Sequence, residues 1–432
     1  MVHLSNDILE EVLCRLPIKC LIRFRCVSKS WLALISSPYF VKLHFNRSVQ
    51  TKRNLRLFKS NLFQVDFDSL HDDDVLQEVK FRNYGFVPKS SCDGLLCMSN
   101  TRDTQRVLVW NPSTRRNPSK RWPNTIAEKN YPTTCLGDDF LSMPNVHAID
   151  NVFLWNPSTR KALKLPYASI EIEKQIGLFN AYVYCVYRIG YDNTNDDYKV
   201  VRIVILSEPR SFSEYEIMVY SLRSNSWHRL EKFPHCPNWS NFGDCIVGGA
   251  LHFMSIVKSD LKSENSIVAF DLGTEKCRVL PQPEYNGTPS KLCLDNLGGC
   301  LSLSCVYESS IVDVFLLKEY GGMKEHWSRL ITLSRTSTFK IFHPLKPIAY
   351  SKCGKKVWLN MDDKRLVLYN LEQKSVEEIK DRDRSSTSLL YKYCLESLVT
   401  VDVPGTTKII FGNWIHKEKI FKYAYCCAIQ AT

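Results

Sequence analysis

The chain has 432 residues, of which 44% are hydrophobic and 12% aromatic, so it can bury a large core and we expect no extensive disorder. Its net charge of +12 suits an acidic partner, but the basic residues are dispersed along the chain, and we expect no nucleic-acid binding. The 17 cysteines form no C-x-x-C pair, which argues against a metal site.

The sequence also has no stretch that is long and apolar enough for a transmembrane helix. The first residues, Met1–Asp7, lack the basic and apolar regions of a secretory signal. We therefore expect no membrane association, a cytoplasmic and/or nuclear location, and reduced cysteines.

The first 45 residues predict three to four short helices. Ser5 or Asn6 can cap the first helix, and Pro17 and Pro38 each suit the first turn of a new one. Apolar residues follow a helical spacing on one face of the first helix: Ile8, Leu9, Val12, Leu13 and Leu16. Such a small unit cannot bury all of its apolar side chains, so some of them face either a partner protein or the following domain.

Four stretches of this segment resemble the F-box in the order that the family shows. They are Leu4–Leu9, Arg15–Lys19, Arg23–Trp31 and Leu34–Phe40, although Ser5 stands where the family usually has proline. The resemblance implies a helical domain of residues 1–47 that docks on a Skp-type linker protein, which bridges to a cullin. The docking residues that it implies are mostly apolar or aromatic: Leu4, Ile8, Leu9, Val12, Leu13, Leu16, Pro17, Leu21, Phe24, Cys26, Val27 and Trp31.

A strand, a polar turn and a second strand recur through the rest of the chain, and the second strand often ends in Leu-Pro. The recurring aromatic residues lie 45–65 positions apart, at Trp110, Trp155, Tyr220, Phe270, Phe315 and Tyr369. Such spacing is typical of propeller blades of four short strands. We therefore predict a mainly β protein with a small α-helical N-terminal domain, followed over residues 48–432 by a β-propeller-like domain of about seven to eight blades.

Three parts of this second domain are less regular. Residues 57–70 and 408–423 are predicted to form terminal blades that close the ring edge to edge. Residues 116–150 are rich in Pro and Asn, and they form an irregular insertion, a degenerate blade or a long loop. Residues 404–432 extend past the last clear repeat as a C-terminal extension.

The motif Asn-Pro-Ser-Thr-Arg occurs twice, at Asn111–Arg115 and Asn156–Arg160, and we interpret it as a turn in which Asn bonds to nearby backbone. Together with Gly190–Asp192 and Asp196–Arg202, it resembles the plant F-box-associated domain. Val312–Val314 and Lys318–Tyr320 are most similar to the immunity-regulating branch of that family.

No motif points to catalysis. The sequence has no glycine-rich phosphate loop, no nucleophile elbow and no His pair at metal spacing, so we expect no catalytic residue, cofactor or metal, and no enzyme. The run His71–Asp74 is interpreted as a solvated loop.

The leading functional hypothesis is a substrate-recognition adaptor of an SCF-type (Skp–cullin–F-box) ubiquitin ligase, which recruits a target protein for ubiquitination and proteasomal degradation. The target is unknown, and the family resemblance suggests an immune or stress-signalling protein. A carbohydrate- or small-ligand-binding propeller without a ligase role is the alternative, and an enzyme on a propeller scaffold is a third reading.

Overall fold

The structure is a computed structural model that describes residues 6–51 and, after them, a set of shorter ranges. These are 55–59, 63–66, 77–78, 86–100, 140–141, 152–159, 161–169, 182–207, 214–231, 233, 237, 245–258, 263–308, 311–334, 345–351, 353–361, 365–378, 391–395, 397–401 and 409–410. The first Asn-Pro-Ser-Thr-Arg motif and the run His71–Asp74 lie outside the described residues.

Four helices form the amino-terminal part, which we call the helical unit: α1 (Asn6–Leu13), α2 (Ile18–Phe24), α3 (Lys29–Ser36) and α4 (Pro38–Thr51). The Ser28 hydroxyl caps α3 by accepting a hydrogen bond from the Trp31 amide at 3.1 Å. The Ser37 hydroxyl caps α4 in the same way, with the Phe40 amide at 3.2 Å. The predicted helices are confirmed, but α4 runs through Thr51, so the expected domain boundary at residue 47 falls inside it.

The described residues after the helical unit form 26 strands. In chain order they are β1 (Leu55–Lys59), β2 (Phe63–Asp66), β3 (Gln77–Glu78), β4 (Phe86–Cys92), β5 (Leu95–Asn100), β6 (Phe140–Leu141), β7 (Val152–Asn156), β8 (Lys161–Lys164), β9 (Tyr182–Asp192), β10 (Asp197–Ser207), β11 (Glu214–Ser221), β12 (Ser226–Leu230), β13 (Ile246–Val247), β14 (Ala250–Lys258), β15 (Ser263–Asp271), β16 (Cys277–Leu280), β17 (Pro289–Leu297), β18 (Cys300–Tyr307), β19 (Ile311–Lys318), β20 (His326–Ser334), β21 (Leu345–Tyr350), β22 (Lys356–Met361), β23 (Arg365–Asn370), β24 (Ser375–Glu378), β25 (Tyr391–Leu395) and β26 (Ile409–Ile410).

These strands pair into six antiparallel sheets. Sheet 1 has the order β25-β1-β2-β3, sheet 2 β26-β8-β7-β5-β4 and sheet 3 β12-β11-β10-β9-β6. Sheets 4, 5 and 6 are the consecutive sets β13–β16, β17–β20 and β21–β24. Each sheet contacts the next through strands near its inner edge, and β25 of sheet 1 contacts both β21 of sheet 6 and β4 of sheet 2. The six sheets therefore form a closed ring, which we call the propeller.

Sheet 1 closes this ring, because it takes strands from both ends of the propeller. β25 pairs with β1 from Leu55↔Leu395 to Lys59↔Tyr391. The facing edges of these two strands are therefore both hydrogen-bonded. The prediction of edge-to-edge closure is confirmed for the first end. The closing strand from the second end lies upstream of the predicted 408–423 region, of which Ile409–Ile410 pairs instead with β8 of sheet 2.

The predicted number of seven to eight blades is wrong for the described part of the chain, which has five sheets from strands β4 to β24 and a sixth at the closure. Trp110, the first of the recurring aromatic residues after β5 in the sequence, lies outside the described residues. In the structure β5 pairs with β7, with Leu96 opposite Trp155. One sheet thus draws its strands from both sides of a long insertion, and within that insertion β6 joins sheet 3.

The core lies between the sheets, and the middle strands are therefore buried on both faces. In β19 all residues from Val312 to Leu317 are buried. The one carboxylate among them, Asp313, accepts hydrogen bonds from Thr332 at 2.6 Å and Asn286 at 3.2 Å, so its burial is compensated. Between sheets 3 and 4, Phe233 stacks on Phe253 with ring centroids 4.9 Å apart.

A repeated tryptophan contact is found where two strand pairs end in Leu-Pro. Trp227 on β12 of sheet 3 donates its indole N–H to the Pro166 carbonyl, which follows β8 of sheet 2, at 2.8 Å. Trp327 on β20 of sheet 5 donates to the Pro281 carbonyl, which follows β16 of sheet 4, at 2.7 Å. In both cases a hydrogen bond joins an outer strand to the chain that follows the last strand pair of the preceding sheet.

A buried histidine joins sheets 4 and 5. His252 on β14 is fully buried, and its Nε2 lies 2.8 Å from the hydroxyl of Tyr320. The guanidinium of Arg278 lies 5.0 Å from the centre of the Tyr320 ring and bonds to both carboxylate oxygens of Glu325, at 3.0 and 2.9 Å. Burial lowers the pKa of His252 to about 4, because the charged imidazolium is poorly solvated there.

This shifted pKa predicts a loss of stability in mild acid. The unfolded state takes up a proton near pH 6.5 and the folded state only near pH 4, so acid favours unfolding across that interval. We expect wild type to lose about 2 kcal/mol more than His252→Gln between about pH 7 and pH 5, measured by urea unfolding. Glu325, Arg278 and Tyr320 are unchanged in both proteins, and equal pH slopes would contradict the prediction.

Candidate partner-docking surface

The helical unit has a well-packed core in the folded chain. Five apolar side chains from the four helices are at most 1% exposed: Leu13, Ile18, Leu21, Ile35 and Phe40. They form one cluster, which a residue from the far end of the described chain, Leu398, also joins. The unit therefore does not need a partner to cover its centre.

Five predicted docking residues remain exposed on this folded unit: Ile8, Val12, Pro17, Cys26 and Val27. Ile8 and Val12 lie one helical turn apart on α1 and are 53% and 51% exposed, and Val27, between α2 and α3, is 61% exposed. Large apolar side chains that stay in water on a unit with a complete core are available to a partner.

Four further predicted residues are half-buried: Leu9, Leu16, Phe24 and Trp31. Each packs against the helical core, and Phe24 meets Trp31 edge-to-face with ring centroids 5.5 Å apart. We call these four residues and the five exposed ones the docking surface. The half-buried members hold a fixed shape because the core supports them from behind.

The remaining three predicted residues do not belong to this surface. Leu13 and Leu21 are 1% and 0% exposed, so we correct their assignment from docking to core. Their helical spacing alone could not separate these roles, since both positions lie on apolar faces. Leu4 lies outside the described residues.

The charges of the helical unit are unbalanced toward positive. Within residues 1–47, Asp7, Glu10 and Glu11 are the only acids. Glu11 forms ion pairs with Arg15 and Arg47, and the hydrogen bond from Arg15 holds the pKa of the Glu11 carboxyl below its usual range. A positive unit is suited to a negatively charged partner, and such steering weakens with salt.

His44, which was not predicted as a structural residue, joins α4 to the turn between α1 and α2. Its Nε2 lies 2.9 Å from the carbonyl oxygen of Leu16, and the side chain is 1% exposed. The signal was present in the spacing, because Phe40, His44 and Ser48 are the buried residues of α4 and follow one another at every fourth position.

The interpretation of the second Asn-Pro-Ser-Thr-Arg motif as a turn is confirmed. The Asn156 Oδ1 accepts hydrogen bonds from the amides of Ser158 at 2.8 Å and Thr159 at 3.1 Å. This turn links β7 to β8, and its role is structural.

Within the described ranges, no three His, Cys, Asp or Glu side chains lie close enough together to hold a metal ion. None of the helices α1 to α4 is long and apolar enough to cross a membrane.

A four-helix unit with an open apolar surface, joined to a ring of sheets, defines a two-domain binding protein. Residues 1–43 match the F-box domain, and residues 140–392 match the F-box associated beta propeller domain. The chain therefore belongs to the F-box proteins that carry an F-box-associated β-propeller domain, which confirms the resemblance seen in the sequence.

Relatives in Arabidopsis thaliana align over most of the chain. F-box protein CPR1 is 30% identical, and the match covers 98% of this chain and 94% of CPR1. An F-box/kelch-repeat protein from the same plant is 26% identical over 78% of this chain and 81% of its own. A solved oligogalacturonate lyase from Vibrio parahaemolyticus overlaps 54% of this chain and 61% of its own with a TM-score of 0.32 and 10% identity, which carries no argument about function.

F-box proteins with a propeller domain are typically substrate adaptors of SCF ubiquitin ligases, and they are not enzymes themselves. In such ligases the F-box is the domain that binds a Skp-type linker. These statements hold for the family to which the chain belongs.

Because Leu13 is buried and Val12 is exposed on α1, we predict that their substitution by alanine changes the free energy of unfolding by very different amounts. Leu13→Ala leaves a cavity in the helical core, and we expect it to cost about 2–5 kcal/mol of unfolding free energy. Val12→Ala removes an exposed side chain and should change that free energy by about 0.5 kcal/mol at most. Urea unfolding of the two variants tests this, and a similar cost for both would mean that Val12 is not on an open surface.

Proposed function

We propose that this chain is a substrate-recognition adaptor of an SCF-type ubiquitin ligase. Its docking surface binds a Skp-type linker and through it a cullin, and its propeller holds a target protein for ubiquitination and proteasomal degradation. The observation that supports this most is the exposure of Ile8, Val12 and Val27 on a helical unit whose core is already complete.

The apolar area that stays exposed on the helical unit favours binding of a partner. A stable protein–protein interface buries about 1,600 Å² in total, and a few well-supported apolar anchors supply most of its energy. Trp31 and Phe24 are half-buried and rigidly packed, so they lose little side-chain entropy on binding. Pro17 lies at the exposed corner before α2, and its ring fixes the backbone φ angle there, so this residue also loses little entropy on binding.

The adaptor role requires no chemistry from this chain. Holding a target beside the charged ubiquitin raises the effective concentration of its lysines, and orientation adds to the rate. We propose that the protein works in the cytoplasm and/or nucleus. The similarity of Val312–Val314 and Lys318–Tyr320 to the immunity-regulating branch supports an immune or stress-signalling protein as the target.

The docking model predicts that one charge on the surface prevents linker capture without unfolding the chain. Ile8→Asp places a carboxylate on an exposed position in the first part of α1, where the helix dipole tolerates it. We expect the Kd for a Skp-type linker to rise at least about 30-fold, measured by calorimetry.

The matched control is Tyr39→Asp. Tyr39 is 65% exposed, lies in the first turn of α4 and does not belong to the docking surface, so we expect unchanged affinity. Wild-type affinity in Ile8→Asp, with the control also unchanged, would refute docking at this surface.

The same variant identifies targets. Leu398 packs into the helical core, so removing the helical unit would expose this apolar side chain. A point variant avoids that new exposed surface and is therefore preferred to a truncation. Affinity capture with proteasome inhibition is expected to retain the same target proteins with wild type and Ile8→Asp. The linker, the ligase subunits bound through it and ubiquitin conjugates of the targets are expected only with wild type. If no retained protein responds, and the full chain instead binds components of a glycan array, the alternative function as a carbohydrate-binding propeller is favoured.

A further inference from the structure

Residues 397–401 lie between the helical unit and the propeller and contact both. The Leu398 side chain joins the core of the helical unit, whereas Val399 and Val401 join the core that sheets 2 and 3 form together. All three are at most 9% exposed. Successive side chains of an extended chain point to opposite sides. Here one side packs on the helical unit and the other packs on the propeller.

Asn156 holds this segment in place from the propeller side. Its Nδ2 donates to the carbonyl oxygen of Val399 at 2.7 Å and to that of Ser397 at 3.0 Å. The Asn156 side chain is 0% exposed, so no solvent replaces these bonds. The amide oxygen of the same side chain holds the turn after β7, and the residue thus uses both ends of its amide.

Two comparable turns among the described residues, at Asn370 and Asp271, lack this second contact. Asn370, after β23, accepts from the amides of Glu372 and Gln373 at 3.0 Å, and its Nδ2 bonds within the turn to Gln373. Asp271, after β15, accepts from the amides of Gly273 and Thr274 at 3.1 and 2.7 Å. A carboxylate therefore supports the turn as well as an amide does, and the turn does not explain why residue 156 is Asn.

We propose that Asn156 is a positioning residue that fixes the helical unit on the propeller through residues 397–401. Val41 of α4 packs against both cores and completes the junction from the other side. If the proposed adaptor function holds, this junction sets the direction in which the propeller presents a target to the ligase. The effect of the junction on ubiquitin transfer rests on the proposed adaptor function, but the existence of the junction does not.

Asn156→Asp separates the two roles of this side chain. The carboxylate keeps the acceptor that holds the turn, as Asp271 shows, but it loses the donor and brings a negative charge against two carbonyl oxygens. Asn370→Asp is the matched control, since it makes the same change in a turn without the second contact.

Hydrogen exchange on the full chain tests the junction directly. We expect the amides of residues 397–401 to exchange at least about tenfold faster in Asn156→Asp, with Ser158 and Thr159 as protected as in wild type. Unchanged protection of residues 397–401 in this variant would overturn the proposal, and so would an equal loss in Asn370→Asp.

A second variant covers the case in which Asn156→Asp unfolds the propeller. Leu398→Ala keeps the Asn156 hydrogen bonds but shortens the side chain that enters the helical core. We expect it to enlarge the radius of gyration measured by small-angle scattering, while exchange within β7 and β8 stays at the wild-type rate. A radius unchanged from wild type would overturn the proposal.

Ubiquitin transfer separates a failed junction from a failed function. In a reconstituted ligase, Asn156→Asp is expected to bind the linker as wild type does but to transfer ubiquitin to lysines of its own propeller with a changed pattern and about tenfold lower rate. An unchanged pattern and rate would overturn the effect on transfer. If wild type itself does not bind the linker, the adaptor function fails, and the exchange measurement alone then decides the junction.

Discussion

The pairing of β1 with β25 is the constraint on which the arrangement of the whole chain depends. β1 begins at Leu55, just after α4 ends at Thr51, and β25 ends at Leu395, just before Ser397. Because Leu55 is paired with Leu395, the exit of the helical unit and the start of residues 397–401 lie at the same end of sheet 1. Closing the ring therefore also brings Leu398 to the helical core and places the docking surface on a fixed support.

Local regularities predicted much of this structure from the sequence. Helical spacing and the positions of Pro17 and Pro38 predicted three to four short helices, and the recurring aromatic strands predicted a ring of β-sheets. The number of sheets could not be predicted, because β5 and β7 pair across an insertion that also supplies β6. A repeat count assumes that neighbours in sequence are neighbours in the sheet, and that assumption fails at this point.

Which apolar residues of the helical unit stay exposed was predicted only in part, and the errors have one physical cause. An apolar residue on a short helix can face the core of its own unit or a partner, and the sequence alone does not distinguish Leu13 from Val12. The contact of Asn156 with Val399 joins residues that are 243 positions apart. Either Asn or Asp at this position satisfies the turn, so no local pattern reveals the contact with Val399.

The closure of sheet 1 has a consequence for the synthesis of the protein. At a translation rate of about 5–20 residues per second, roughly 20–70 s separate the emergence of β1 from that of β25. During that time the outer edge of β1 has no strand beside it, and the helical core lacks Leu398. Until β25 and residues 397–401 leave the ribosome, this open edge and the unfinished core are the parts of the new chain that favour aggregation.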